Sequence, residues 1–171
     1  MPLADGVVVR PASSSDIPAI IDLAVEAVRH SVSPLRGSRQ EAVQEYRRAD
    51  LQALPEVLTL PESGIFVAED RQGRLVGHVI AMTGRSESLT GEPQGWIFDL
   101  SVAPEFWGTG VARRLMERAE DFVMAQGLRF LGLGVTSSNK RALAFYERLG
   151  YLEERKQMVK ILSPRAPEEE P

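Results

Sequence analysis

The segment Leu100-Ser-Val-Ala-Pro-Glu-Phe-Trp-Gly-Thr-Gly-Val-Ala-Arg-Arg114 joins a predicted strand to a predicted helix and contains two closely spaced glycines. The strand covers residues 96–102, and the helix that follows keeps its apolar residues at helical spacing until Gly127. The first amide N–H groups of a helix have no acceptor within the helix, and the helix dipole favours anions at that end. Glycines at positions 108 and 110 allow a phosphate to approach the backbone closely. The segment therefore predicts a phosphate-binding loop.

Two common phosphate-binding patterns do not fit this loop. The nucleotide-binding pattern that ends in Gly-Lys-Ser/Thr requires a lysine, and residues 107–114 contain none. The dinucleotide pattern Gly-x-Gly-x-x-Gly requires glycine or alanine where this chain has Arg113. Taken by itself, the segment is also compatible with a simple loop that contains two glycines.

The rest of the chain predicts a mixed α/β sheet with the element order β-α-α-β-β-β-α-β-α-β. Residues 83–94 predict a polar, flexible stretch, and simple alternation in the strand 96–102 places Ile97, Asp99 and Ser101 on one face. Ser13 and Asp16 have the spacing of a capping box at the start of the first helix. The expected strands are residues 7–10, 65–69, 75–82, 96–102, 130–135 and 157–162, and the expected helices begin near residues 13, 38, 111 and 138.

Composition indicates one globular domain without cysteine chemistry. The chain has 171 residues, of which 43% are hydrophobic and 26% charged, and its net charge is −4. It has no cysteine and two histidines, so we expect no disulfide, no thiolate nucleophile and no metal site. The charge does not favour nucleic acid as a partner, and no apolar run predicts a membrane span or a secretory signal, so we expect a cytoplasmic protein. We expect a leader at residues 1–6, a domain at 7–162 and a disordered acidic tail at 163–171.

Two blocks of the sequence resemble the GNAT superfamily of acyl-CoA N-acyltransferases. The signature Gln/Arg-x-x-Gly-x-Gly/Ala, which follows a strand ending in Leu-x-Val, matches Gly110 and Ala112, whereas Trp107 replaces its first residue. The second block, Asn-x-x-Ala-x-x-Phe-Tyr-x-x-x-Gly-Phe/Tyr, matches at every position from Asn139 to Tyr151. The opening Val-Arg-Pro-Ala-Ser-x-x-Asp also looks like the first strand and helix of the superfamily, so the resemblance covers residues 7–162.

The resemblance implies a fold, a co-substrate and its binding residues. The implied fold is a mostly antiparallel mixed sheet flanked by helices, with two parallel strands that splay apart at the CoA site. The implied co-substrate is acetyl-CoA, whose acetyl group passes directly to an amine. The implied CoA-binding residues are Leu100, Ser101, Val102, Trp107, Gly108, Thr109, Gly110, Val111, Ala112, Arg113, Asn139, Ala142, Phe145 and Tyr146.

The resemblance also points to catalytic groups. Tyr146 matches the phenol that protonates the CoA sulfur, although an aromatic residue that only fills the helix–sheet interface is the alternative. An amine attacks only when it is neutral, so a base is required. Asp99 is one candidate base, and a carboxylate that is simply paired with an arginine is an equally good interpretation. Glu69 is a second candidate, and a chain of water molecules is a third possibility. For His78, a structural role as a partly buried, hydrogen-bonded side chain is favoured over a catalytic one.

The acceptor is not determined by the sequence. The segments that vary among relatives carry both arginines and glutamates, which does not choose between a small amine, an amino acid and a peptide N-terminus. A homodimer is compatible with the resemblance. A non-catalytic acyl-CoA-binding module is the rival interpretation, and the presence of Tyr146 favours the enzyme.

Overall fold

The computed structural model describes residues 6–162, which form a five-stranded sheet with helices on both faces. The acidic tail expected at residues 163–171 and nearly all of the expected leader lie outside the described residues. The strands are β1 Val8–Pro11, β2 Ser63–Glu69, β3 Leu75–Ser86, β4 Pro93–Val102 and β5 Leu131–Leu133. The helices are α1 Ile17–Ala27, α2 Gln40–Asp50, α3 Leu54–Val57, α4 Val111–Ala125 and α5 Lys140–Arg148.

The strands are ordered β1-β2-β3-β4-β5, so each strand lies beside its neighbour in sequence. The first four strands pair antiparallel, and only β4 and β5 are parallel. A parallel pair requires a crossover connection, which α4 supplies between β4 and β5. The expected fold class, a mostly antiparallel mixed sheet flanked by helices, is therefore confirmed.

The sheet buries two separate apolar clusters, one on each face. One cluster joins the sheet to α4, with Leu115 and Met116 fully buried and the aromatic residues of α5 packed at its margin. The other joins the sheet to α1 and α3, with Ile20 and Leu54 at its centre. None of the helices within residues 6–162 is long and apolar enough to cross a membrane.

The start of α1 is fixed by the carboxylate of Asp16. This carboxylate accepts the Ser13 amide N–H at 2.7 Å, the carboxylate half of the expected capping box. Arg10 in β1 donates to both Asp16 oxygens at 2.8 and 2.9 Å, and its guanidinium also donates to Glu69 in β2. The hydrogen bonds from Arg10 hold the pKa of Asp16 well below its usual range, although burial opposes them. One carboxylate thus joins α1 to the edge of the sheet.

Replacing this carboxylate is expected to lower stability. Asp16→Asn loses the charge-assisted pair with Arg10, so the free energy of unfolding in urea should fall by about 1–2 kcal/mol at neutral pH. Because the folded-state pKa of Asp16 is depressed, its stabilisation is present above the unfolded pKa of about 3.9 and is lost as pH falls below it. The variant should therefore lose less stability than the wild type between neutral pH and pH 3. Asp22→Asn is the control, since Asp22 forms an exposed ion pair with Arg48. Equal stability of the Asp16 and Asp22 variants would contradict the expectation.

A β-bulge in β4 changes the predicted faces of that strand. Ile80 pairs with Asp99 and the next residue, Ala81, pairs with Ile97, so two steps along β4 oppose one step along β3. Ile97 belongs to the apolar cluster on the α4 face, whereas Asp99 contacts Arg47 of α2 on the opposite face. The prediction that Ile97 and Asp99 share a face is therefore wrong, because simple alternation does not account for the extra residue.

Half of the stretch predicted as flexible between β3 and β4 is strand. β3 continues to Ser86 and β4 begins at Pro93, with these two residues paired at the end of the hairpin. Glu87 organises the short loop, because its carboxylate accepts the amide N–H groups of Leu89 and Thr90 at 2.9 and 2.7 Å. The hairpin is therefore longer and its loop shorter than residues 83–94 predicted.

The predicted final strand at residues 157–162 is not formed. Residues 151–162 have no regular secondary structure, and Leu152, Met158 and Ile161 are exposed. A strand needs a partner, and the neighbouring edge strand β5 is only three residues long. Arg155 instead forms an ion pair with Glu87 in the β3–β4 loop.

Candidate active site

The glycine loop places unpaired amide groups at the start of α4. Gly108 and Gly110 have φ angles of 76° and 88°, the left-handed region in which glycine is favoured. Gly110 is the N-cap of α4, no side chain caps this end, and the first turn carries no acidic residue. The first-turn N–H groups therefore remain available to an anionic ligand. Arg113 and Arg114, which follow the loop, both lie near Glu117, at 3.1 and 3.8 Å.

Toward this loop β4 extends beyond the end of β5. β4 and β5 pair where residues 95–97 of β4 face residues 131–133 of β5. Within the described part of the chain, no strand pairs with the later residues of β4 on this side. The backbone of Leu100 to Val102 thus has an unpaired edge beyond the end of β5, which is an opening in the pairing of the sheet.

Trp107 connects the glycine loop to the end of β4. Its indole N–H donates to the backbone oxygen of Val102 at 2.8 Å. The guanidinium carbon of Arg141, in the first turn of α5, lies 3.3 Å from the Trp107 ring centroid, and the ring of His30 approaches its edge. Trp107, which departs from the family signature, thus packs between β4, α5 and the turn that follows α1.

The second sequence block forms α5 and its N-cap. The Asn139 side-chain oxygen accepts the Ala142 amide N–H at 3.1 Å, so this asparagine caps the helix. Phe145 and Tyr146 pack against the apolar cluster of the α4 face, and their ring centroids are 5.2 Å apart. The cap and the aromatic pair fix α5 against the sheet close to the opening.

The phenol of Tyr146 remains protonated over the neutral and moderately alkaline range. Burial, together with the negative charge of Asp99, raises its pKa to about 12. The charge of Asp99 acts on the phenol, although Asp99 contacts Arg47 of α2 and Tyr146 packs with the apolar cluster of the α4 face.

Asp99 is held by three donors. One carboxylate oxygen, Oδ1, is 3.1 Å from His78 Nε2 and accepts the Ser101 hydroxyl at 2.8 Å. The other oxygen, Oδ2, accepts a hydrogen bond from Arg47 of α2. Burial raises the pKa of Asp99, but the hydrogen bond and charge of His78, the charge of Arg47 and the Ser101 hydroxyl outweigh it and leave the pKa well below its usual range.

Of the other residues that the sequence singled out, Glu69 is separated from this site, whereas His78 is hydrogen-bonded to Asp99. Glu69 lies two strands away from β4 and pairs with Arg10. His78 is fully buried and hydrogen-bonded, which is more burial than the structural role expected from the sequence requires. Its Nδ1 has no partner within residues 6–162. Sequence reasoning missed Arg47, since nothing in a polar helix indicates which charged side chain turns toward the sheet. The described residues contain no group of three or more His, Asp and Glu side chains that could hold a metal ion.

Comparison with known proteins gives consistent matches. A profile of the Acetyltransferase (GNAT) family matches residues 25–151. An uncharacterized N-acetyltransferase from Archaeoglobus fulgidus is 28% identical over 138 residues, which are 81% of this chain and 88% of that protein. A mycothiol acetyltransferase from Propionibacterium freudenreichii is 33% identical over 89 residues, 52% of this chain but 28% of that protein, so the chain matches well under half of that relative's length. A solved structure of a putative acetyl transferase from Pyrococcus furiosus superposes with a TM-score of 0.74 at 24% identity, covering 91% of this chain and 99% of that one.

These matches, together with the unpaired edge of β4 and the glycine loop, define an acyltransferase. The chain belongs to the Acetyltransferase (GNAT) family, because the family profile covers well over half of it. The resemblance seen in the sequence is therefore confirmed at the level of the family. Members of this family use acetyl-CoA.

Proposed function

We propose that this protein transfers the acetyl group of acetyl-CoA directly to a primary amine of a small molecule or peptide. The observation that carries the proposal is the opening at the unpaired edge of β4, which lies between the glycine loop at the start of α4 and the end of β5. A binding loop, an open strand edge and two groups able to exchange protons are what an acyl transfer to an amine requires.

The residues around the opening fit a bound CoA. The amides from Gly108 to Arg113 suit a pyrophosphate, since those from Gly110 to Arg113 offer N–H donors at the positive end of the helix dipole, whereas the Thr109 N–H already donates to the Phe106 backbone oxygen. The unpaired edge at Leu100 to Val102 suits the amide-containing pantetheine arm, which can add to the edge as an extra strand does. Asn139, Ala142 and Phe145 would lie along the same arm, on the side formed by α5.

The proton transfers are assigned to Tyr146 and Asp99. Acetyl-CoA supplies an activated thioester, whose sulfur departs as a thiolate. Tyr146, held protonated by burial, donates a proton to that sulfur. The acceptor releases its ammonium proton to solvent before it attacks, and Asp99 accepts the second proton, which the nitrogen loses as its new bond forms. With Glu69 two strands distant, Asp99 and a water chain are the alternatives that remain for the base.

The absence of cysteine from the sequence favours direct transfer of the acetyl group from CoA to the amine. The chain contains no cysteine, so an acyl-cysteine intermediate has no nucleophile. A complex in which donor and acceptor are bound together is the simplest route.

The proposal is tested by incubating the protein with acetyl-CoA and a panel of primary amines. Thiol release is followed with a chromogenic disulfide, and acetylated product is identified by mass spectrometry. We expect thiol release that depends on one class of amine and exceeds the hydrolysis measured without amine. Binding of CoA with no release for any amine would contradict the proposal and favour a non-catalytic acyl-CoA-binding module.

A further inference from the structure

Both oxygens of the Asp99 carboxylate are occupied. His78 and Ser101 engage Oδ1, and Arg47 engages Oδ2. Only a tenth of the Asp99 side chain is exposed, so an incoming amine has no unoccupied oxygen to approach. If Asp99 accepts a proton from the acceptor, one of these three donors has to move first.

Arg47 is the donor that is able to move. His78 and Ser101 belong to central strands of the sheet and are buried. Arg47 belongs to α2, a helix that buries none of its residues. Within residues 6–162, two side-chain contacts join α2 to α1. Arg48 forms an ion pair with Asp22 at 3.0 Å, and the Gln44 amide donates to the Val25 backbone oxygen at 3.4 Å. Release of Arg47 therefore leaves both apolar clusters intact.

The position of the Arg47 guanidinium has the chemistry of a binding site for an organic cation. One guanidinium nitrogen contacts Asp99, and the other is 2.5 Å from the Asp50 carboxylate. The guanidinium carbon lies 5.4 Å from the centroid of the Phe98 ring, which is itself partly exposed. Two carboxylates and an aromatic face would stabilise an alkylammonium in the same way as they stabilise a guanidinium.

This position is also close to the proposed reaction centre. Asp99 is the group assigned to accept the proton of the acceptor, so a cation at its Oδ2 adjoins the proposed base. A ligand that displaces Arg47 thus arrives where an acceptor amine is needed.

We propose that the acceptor is a primary alkylammonium without a carboxylate beside its amine, and that it displaces Arg47 from Asp99 to lie between Asp99, Asp50 and Phe98. The inference rests on the proposed acetyl transfer, because it names the acceptor class of that site. A carboxylate beside the amine would instead meet Asp50 and Asp99 with like charge, once Arg47 has moved away. Arg47 is on this view a positioning residue that keeps the site closed until a cation arrives.

The first test measures hydrogen exchange of the α2 amides in the CoA-bound protein. The probe is 1,5-diaminopentane, and 1,5-pentanediol is the uncharged control. The diamine should speed exchange in residues 40–50 of the wild type, because Arg47 no longer joins α2 to the sheet. In Arg47→Gln the exchange should already be fast and should not respond to the diamine. Unchanged exchange in the wild type would overturn the proposal, whether or not the diamine is acetylated.

The second test compares KM with kcat for the best amine acceptor in the panel. Removing an internal competitor should lower KM in Arg47→Gln about tenfold, with kcat near that of the wild type, since a tenfold change corresponds to about 1.4 kcal/mol of competing interaction. Arg47→Lys keeps the charge but cannot bridge both carboxylates, so its KM should lie between the two. Arg48→Gln is the matched control on the same helix and should leave KM unchanged. An increase in KM for Arg47→Gln, the result expected if Arg47 binds an acceptor carboxylate, would overturn the proposal while amine-dependent thiol release still stands.

Discussion

Tyr146→Phe is expected to lower kcat for amine acetylation about hundredfold while the Kd for CoA stays near that of the wild type. General acid catalysis is typically worth about 10²–10⁴-fold, and the lower end applies here because a phenol whose pKa is raised to about 12 is a weak acid. The ring of phenylalanine keeps the contacts with Phe145 and the apolar cluster, so only the proton donor is lost. Steady-state kinetics and calorimetric CoA binding give the two quantities.

Tyr151→Phe is the matched control for this variant. Tyr151 follows α5, its ring centroid is 5.8 Å from that of Tyr146, and burial also raises its pKa, but its hydroxyl faces Glu120. Its removal should leave kcat unchanged. Because Tyr146 remains protonated up to about pH 12, the wild type should show no loss of kcat from this group as pH rises to 9. A kcat for Tyr146→Phe equal to that of the Tyr151 variant would remove the acid role.

Gly108→Ala is expected to weaken CoA binding about hundredfold. An added methyl group meets nothing within 4 Å in the protein itself, but the φ angle of 76° is one that alanine rarely adopts. The loop must then either accept the strain or turn its amides away from the phosphate. Loss of one or two charge-assisted hydrogen bonds, each worth about 1.5–3 kcal/mol, accounts for an effect of this size.

The chain offers an unusually close control for this substitution. Gly127, just after the C-terminal end of α4, also has a φ angle of 76° and also has nothing within 4 Å of an added methyl group. Both alanine variants should therefore lose about 1 kcal/mol of stability in urea from the same backbone strain. Only the variant at Gly108 should lose affinity for CoA in calorimetry. Equal affinities in the two variants would contradict the assignment of the phosphate to this loop.

Local patterns predicted the parts of the fold that depend on neighbouring residues. The glycine loop, the start of α4 and the capping role of Asp16 are each encoded within a few positions, because helix termini are determined by side chains close in sequence. The family followed from two spaced blocks, of which the one in α5 forms a helix cap and an aromatic pair.

The parts that sequence reasoning missed depend on distant partners. Arg47 and Asp99 are 52 positions apart, and only the docking of α2 on the sheet decides that they meet. The final strand failed for a related reason, since a β-rich sequence does not form a strand without an edge long enough to pair with. The hairpin extends to Ser86 although its tip is polar, because Arg85 and Ser86 pair with Gln94 and Pro93 across the turn.

The bulge in β4 has a consequence for any comparison of related chains. In a regular strand the parity of a residue's position decides which face it occupies, and the two-for-one step between Ile97 and Asp99 reverses that parity for the rest of the strand. Deleting Phe98 would remove the extra residue and restore regular alternation, with Asp99 still opposite Ile80 and still facing His78 and α2. A relative that lacks this residue would therefore present the same side chains to both faces, so related chains should be aligned by the pairing of β4 with β3 and not by counting residues along β4.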